Sequence, residues 1–234
     1  MSGFWRFFRY GLLTIAALVA ILITMPFILI GADTLYHSVV RYTHHYRLVL
    51  EIEDHGEIRT GSSVIGVSFS PPPPWFRNVF PTSKTRIRGE AVVVELSTGQ
   101  VVVATLRHGY ETSANTYRMR ILARLALQQD DPRFFMEARN WEGSAELSGE
   151  LIPSILLFES GDDPYSRQWL PPDSFREKLG PEFQFQRMTL EMTSDPVTRQ
   201  ITEKLPFMAR DWDELKEEAN AMGRGLPGRL FLRR

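Results

Sequence analysis

The sequence predicts an α+β protein: one N-terminal transmembrane helix, then a β-rich, mainly antiparallel soluble domain with a few covering helices. Three observations support this fold class: an uncharged apolar run over residues 11–32, alternating apolar and polar residues from Tyr46 onward, and short capped helical segments in the C-terminal half. Alternation with a period of two residues is typical of a half-buried strand. A chain of 234 residues is long enough for one anchor and one domain with a core.

The composition excludes several classes of function. The chain has 27 basic and 28 acidic residues, so no overall field attracts nucleic acid, and we expect no nucleic-acid partner. It has no cysteine, which excludes disulfide bonds, thiolate metal sites and cysteine nucleophiles. The sequence also lacks an HExxH motif and a nucleophile-elbow motif. We therefore predict no catalytic residue, no cofactor and no metal site.

The segment GLLTIAALVAILITMPFILIGA, residues 11–32, contains no charged residue. A helix of this length spans roughly 33 Å, which matches a hydrocarbon core of about 30 Å. A cleavable signal peptide has a shorter apolar region that ends in a small-x-small site, whereas Ile30 stands two residues before Ala32. The pattern therefore predicts an uncleaved, single-pass signal anchor.

The orientation of this anchor follows from the basic residues near it. Arg6 and Arg9 precede the helix, and no lysine or arginine follows it until Arg41. Basic residues concentrate on the cytoplasmic side of a membrane. Residues 1–10 are therefore predicted to be a short cytoplasmic N-terminus, with the soluble domain in the periplasm beyond the inner membrane. An inverted anchor with a cytoplasmic-facing domain is the alternative.

The first hairpin follows from the alternation of residues 46–53. His55-Gly56 can form a tight turn, because glycine accepts a positive φ and histidine is among the residues more often found there. A two-residue loop there pairs Tyr46 with Ile65, His44 with Val67 and Tyr42 with Phe69. All of these apolar side chains then share one face. Adjacent His44 and His45 point to opposite faces, so they cannot jointly bind one metal; we expect a partly buried His44 and a solvated His45.

A second hairpin is predicted from GEAVVVELSTGQVVVATL, residues 89–106, with its turn in the segment STGQ. Both faces of its strands are apolar, so another element must cover the second face. The predicted cover is a helix over residues 115–129, packed through Tyr117, Ile121 and Leu125. The arginines of this helix, which are Arg118, Arg120 and Arg124, are expected on a solvated face.

The C-terminal half contains strands and capped helices. Residues 154–160 and 182–193 are predicted strands, and SFREKL is a short helix with a capping box at Ser174 and Glu177. A further helix is predicted from Asp195 to Pro206, and a final one from Asp211 to Gly223. The basic end RGLPGRLFLRR is expected to be mobile. We divide the chain after the anchor into a soluble β-rich domain, residues 33–206, and a C-terminal amphipathic helix with a basic tail, residues 207–234.

Four segments carry a resemblance to known proteins. They are YRLVLEIEDHGEIRTGSSVI, RGEAVVVELSTGQVVVATL, LLFESGDDPYS and MTLEMTSDPVTRQITEKLP, which span most of residues 46–206. In these segments the chain resembles a family of uncharacterised membrane-anchored proteins of Gram-negative bacteria. The resemblance implies that this domain recurs in that family, and it implies no activity, ligand or site residue.

The segment PPPPWFRNVF, residues 71–80, is the predicted contact site. In the hairpin register Pro71 lies level with residue 40, so the second strand brings the chain back towards the membrane. Consecutive prolines favour a polyproline helix over a strand. This segment would present aromatic and basic side chains to lipid or to a partner protein, namely Trp75, Phe76, Arg77 and Phe80. The alternative is an ordinary loop whose aromatic rings pack into the domain's own core.

Three functions remain open from the sequence. The first is a non-catalytic periplasmic module that binds an envelope protein, a lipid surface or an envelope polymer, in an oligomeric state that the sequence does not define. The second is an anchored hydrolase, which needs two carboxylates within about 5 to 10 Å of each other. The available carboxylates are Glu90, Glu95, Asp162 and Asp163. The third is a cytoplasmic-facing interaction domain.

Overall fold

The computed structural model describes residues 2–74, 83–109, 116–131, 133–222 and 231–233, with side chains described between residues 18 and 231. The chain forms two compact units. The first comprises Met1–Arg41 and Ser70–Lys84, and the second comprises Tyr42–Phe69 and Thr85–Arg234. The predicted division between residues 33–206 and 207–234 stays a prediction, and the helices on its C-terminal side belong to the second unit.

The first unit contains the N-terminal helix α1, Ser2–Val39. Within it, the stretch Leu18–Val39 has a mean hydropathy of 2.2, and its most apolar 18 residues are not buried. It is the one helix of the described residues that is long and apolar enough to cross a membrane. The apolar helix was predicted, but it continues beyond residue 32 because no glycine or proline interrupts the segment ADTLYHSV.

Strands and further helices follow α1. The strands are β1 Tyr42–Asp54, β2 Glu57–Ser70, β3 Lys84–Glu90, β4 Val92–Glu95, β5 Val101–Ala104, β6 Ser144–Leu147, β7 Ile155–Phe158, β8 Gln168–Trp169, β9 Phe183–Thr193 and β10 Leu232–Arg233. The α-helices are α2 Tyr117–Ala126, α3 Phe134–Glu137, α4 Phe175–Leu179, α5 Ile201–Lys204 and α6 Trp212–Ala221. Short 3-10 helices cover Ala138–Asn140, Gly149–Leu151, Pro172–Ser174 and Pro206–Ala209.

These strands form two antiparallel sheets. The first has the order β10-β3-β2-β1-β9-β6, and the second has the order β4-β5-β7-β8. The α+β class is therefore confirmed. The register of the first hairpin is also confirmed, since Tyr46 pairs with Ile65, His44 with Val67 and Tyr42 with Phe69. His55 and Gly56 form the turn with φ values of 53° and 82°.

The larger hydrophobic core lies between the two sheets. Tyr46, Leu48, Leu50 and Ile52 of β1 pack there with Val92 and Val94 of β4 and with Val102 of β5. The intervening residues of the second sheet point to its other face, where Val93, Val103 and Phe158 form a second cluster. The expectation that both faces of this hairpin are covered is therefore confirmed.

The prediction that the helix over residues 115–129 covers that second face was wrong. The cover consists of Ile201, Leu205, Phe207 and Phe231. Helix α2 instead packs on the larger core through Met119, Leu122 and Ala123, and the hydroxyl of Tyr46 donates a hydrogen bond to the carbonyl of Met119 at 2.9 Å. The helix carries two apolar stripes, and the one predicted to be buried leaves Tyr117 and Leu125 exposed.

The helix predicted from Asp195 to Pro206 was also wrong over its first half. Residues 194–200 are not helical, and α5 begins only at Ile201. Thr198 is bound to β2 instead, because its amide donates to the carbonyl of Val64 and its hydroxyl accepts from the amide of Val64. These bonds to a distant strand replace the local helical bonds that the sequence pattern favours.

Other C-terminal predictions had mixed outcomes. Asp211 caps α6 by accepting hydrogen bonds from the amides of Asp213 and Glu214, as predicted. The capping box of α4 was wrong, since Ser174 makes no capping hydrogen bond, although the helix does end at Gly180. Of the basic end that was predicted to be mobile, residues 224–230 lie outside the described residues, whereas β10 pairs with β3 and the side chain of Phe231 is buried.

Candidate functional site

Four polar side chains of the first unit meet at the C-terminal end of α1, and we call this cluster the junction. Its members are Asp33 and His37 of α1 together with Ser70 and Lys84. Asp33 and His37 stand one helical turn apart, so they share a face of the helix. One carboxylate oxygen of Asp33 lies 3.1 Å from Nε2 of His37, and the other lies 2.5 Å from Nζ of Lys84.

The hydrogen atoms of this junction follow from the chemistry of its partners. Oγ of Ser70 lies 2.5 Å from the carbonyl of Val40, which can only accept, so the single hydroxyl proton of Ser70 is donated there. Oγ therefore accepts from Nδ1 of His37, at 2.6 Å. The side chains of Asp33, His37 and Ser70 follow one another in the order of the Asp-His-Ser catalytic triad of serine hydrolases. The hydroxyl proton of Ser70, however, is directed away from the histidine, so the cluster does not activate a nucleophile.

The junction fixes both ends of the segment between Ser70 and Lys84. One end is bound beside Val40 and His37, and the other is bound to Asp33, within the last two turns of α1. The predicted contact residues of this segment, which are Trp75, Phe76, Arg77 and Phe80, lie outside the described residues. Their contact with lipid or with a partner protein stays a prediction.

Sequence reasoning missed the junction because it placed the end of the helix at residue 32. Asp33 and His37 then fell in a connecting segment, where their spacing carries no meaning. The signal was nevertheless present: continuing the helix by two turns places both on one face. The hairpin register had already placed Pro71 level with residue 40, and therefore Ser70 beside it.

Replacing Ser70 tests the buried half of the junction. In Ser70→Ala, Nδ1 of the buried His37 loses its acceptor, and we expect the free energy of unfolding to fall by about 1 to 3 kcal/mol. The measurement is chemical unfolding of the full chain in detergent. The matched control is Ser38→Ala, whose exposed hydroxyl donates only to the carbonyl of Leu35. Equal stability of the two variants would contradict the proposed hydrogen bonding.

A second cluster in the second unit also contains an aspartate, a histidine and a serine. The buried carboxylate of Asp54 accepts hydrogen bonds from the amide and hydroxyl of Ser97, both at 2.6 Å, and from Nδ1 of His55 at 2.8 Å. Nε of Arg59 lies 2.5 Å away. Burial raises the pKa of Asp54, but these hydrogen bonds and the charge of Arg59 outweigh it and lower the pKa to about 2.

The geometry of this cluster is structural rather than catalytic. The hydroxyl of Ser97 donates to Asp54 and not to the histidine, from which it lies 3.4 Å. A nucleophilic serine instead needs its proton accepted by the free nitrogen of the ring. Asp54 therefore joins the turn of the first hairpin to the turn of the second.

The carboxylates considered for a hydrolase have separate roles. Glu90 is buried, and its two oxygens accept hydrogen bonds from the amides of Gln200 and Ile201 at 2.9 and 3.1 Å, where α5 begins. Asp163 is exposed and accepts from the amide of Tyr165. Glu95 and Asp162 are exposed as well. Both oxygens of Glu90 are thus occupied by backbone hydrogen bonds, which does not favour a hydrolase mechanism that uses this carboxylate.

The two adjacent histidines of β1 lie on opposite faces, as predicted. His44 is buried, with 2% of its surface exposed. His45 is half-buried rather than solvated, because its Nδ1 lies 2.7 Å from the carbonyl of Asp195. The non-helical segment 194–200 passes β1 at this point, whereas a helix was predicted there. In the part of the chain that the structure describes, no group of three or more metal-ligating side chains is present.

The fold and the junction define a class of protein: an antiparallel two-sheet α+β domain in a chain that carries one exposed apolar helix with a polar cluster at its end. No family model, curated protein or solved structure matches this particular chain. The resemblance to a Gram-negative family stays a prediction.

Proposed function

We propose that the protein is a single-pass, membrane-anchored periplasmic module of the Gram-negative inner membrane that binds an envelope partner without catalysis. The observation that carries the proposal is the exposed apolar surface of Leu18–Val39, where the side chains of Leu22 and Phe27 are 73% and 72% exposed. Exposing such a stretch to water is unfavourable, and a bilayer removes that cost.

The placement of the binding module outside the cytoplasm rests on charge. Arg6 and Arg9 precede the helix, and basic residues favour the cytoplasmic side. The Gram-negative setting rests on the resemblance of residues 46–206. A non-catalytic role is supported by the structural engagement of Asp54 and Glu90, since both buried carboxylates hold backbone amides in place.

Reporter fusions test the proposed orientation. Alkaline phosphatase joined after Arg234 through a flexible linker is expected to be active, and a cytoplasmic reporter at the same position is expected to be silent. Reversing the charges with Arg6→Glu and Arg9→Glu is expected to reduce the phosphatase signal. A silent phosphatase on the unmodified chain would contradict the periplasmic assignment and favour the cytoplasmic-facing alternative.

A further inference from the structure

His44 is a buried histidine without a polar partner. Its side chain lies near the start of β1 on the core-facing side, and neither ring nitrogen has a hydrogen-bond partner among the described residues. Its ring meets Phe134 edge-on, with the centroids 5.8 Å apart, and the centroid of Phe135 lies 6.3 Å away. The ring therefore lies in an apolar site, which favours the neutral imidazole over the charged imidazolium.

The segment that covers His44 is short. It comprises α3 and the 3-10 helix that follows, Phe134–Asn140, and we call it the α3 segment. Both helices pack on β1. At this point β1 is fixed by its pairing with β2, where His44 lies opposite Val67. The short helical segment, rather than the strand, is therefore the element that can move.

The charged groups around His44 do not compensate a positive charge on its ring. On β1, His45 disfavours a second charge by repulsion. On the covering elements, Arg133, Glu137 and Arg139 are exposed, and Arg133 pairs with Glu137 and with Asp131. The facing residue of β2 is the apolar Val67. Burial first, and then the charge of His45, lower the pKa of His44 to about 4.

We propose that His44 is an acid-sensitive latch, whose protonation releases the α3 segment from β1 and exposes the rings of Phe134 and Phe135 that contact His44 in the closed form. Once released, the ring is hydrated, and its pKa returns towards 6.5. The open form therefore binds a proton more readily than the closed form between pH 6.5 and about 4. The closed form is fully favoured above pH 6.5, loses stability as the pH falls towards 4, and loses no more below that.

Hydrogen exchange of the full chain in detergent, read by mass spectrometry, tests the latch. After correction for the intrinsic pH dependence of exchange, peptides of the α3 segment are expected to exchange about 50-fold faster at pH 4.5 than at pH 7. Peptides of β1 and β2 are expected to keep their protection. An equal loss of protection in β1 and β2 would indicate global unfolding and would overturn the proposal.

Two substitutions identify the responsible histidine. His44→Phe keeps an aromatic ring but cannot be protonated, and it is expected to abolish the acid-induced exchange; His44→Leu serves the same purpose if the larger ring does not fit. The matched control is His108→Phe, because His108 is also buried and burial also lowers its pKa. This variant is expected to retain the response of the α3 segment. Persistence of that response in both His44 variants would overturn the assignment.

Discussion

Asp54→Ala is expected to lower the free energy of unfolding by about 2 to 4 kcal/mol, because it removes a buried carboxylate that accepts hydrogen bonds from Ser97 and His55 and pairs with Arg59. The amide and hydroxyl of Ser97 both lose a bond of 2.6 Å, and Arg59 loses its counter-ion. The hydrogen bonds through which Asp54 joins the two hairpin turns are then lost. Urea unfolding of the full chain in detergent, followed by circular dichroism, measures the effect.

The control and the pH dependence make this prediction specific. Asp130→Ala removes an exposed carboxylate and is expected to change stability by about 0.5 kcal/mol or less. Since the pKa of Asp54 falls from 3.8 to about 2 on folding, its contribution is complete above pH 3.8 and is lost as the pH falls towards 2. Asp54→Ala with the stability of Asp130→Ala would show that the turns are held by other contacts.

Gly61→Val is expected to cost about 3 kcal/mol, because β2 passes very close to the second sheet at this residue. A Cβ on Gly61 would lie 2.4 Å from the carbonyl oxygen of Val93 and 2.7 Å from a methyl group of Val94. The nearest atom belongs to the backbone, so the sheets must separate to admit even one carbon. The same unfolding experiment measures the loss.

Ser62→Val is the matched control for this substitution. It places the same side chain on the next residue of the same strand, where Ser62 is exposed, and is expected to change stability by about 0.5 kcal/mol or less. A similar loss in both variants would show that β-branched residues are generally unfavourable here. Only a difference between the two supports the close approach of the sheets.

Local patterns predicted the hairpins correctly. The register of β1 and β2 follows from one turn and from a side-chain period of two residues, because a slip of one residue moves every apolar group to the wrong face. The second hairpin follows in the same way from its valines and from the turn at Ser97–Gly99. In both cases the information lies within about 30 residues of sequence, which is the range that such reasoning covers.

Contacts between distant residues were beyond that range. The start of α5 is set by Glu90, whose carboxylate binds two amides more than a hundred residues later in the chain. The segment before it, residues 194–200, is held by Val64 rather than by its own helical bonds. Helix α2 has two apolar stripes, and the one that packs on the core contains Met119, Leu122 and Ala123. Sequence spacing alone does not choose between such stripes.

The candidate site was predicted only in outline. The return of β2 towards residue 40 is confirmed by the bond between Ser70 and the carbonyl of Val40. The participation of Asp33, His37 and Lys84 depends on where α1 ends, and helix ends are the least certain feature of a sequence pattern. The predicted end of the helix at residue 32 is therefore the reason that the junction was not predicted.

The burial of Phe231 means that the second hydrophobic cluster is completed only at the end of synthesis. Its ring lies against Phe158 and Phe207, on the face of the second sheet that also holds Val93 and Val103. Those valines leave the ribosome long before Phe231 is synthesised. During translation the growing chain therefore carries an apolar sheet face that its own sequence cannot yet cover completely. Until Phe231 is added, that face is exposed apolar surface of the kind that favours aggregation.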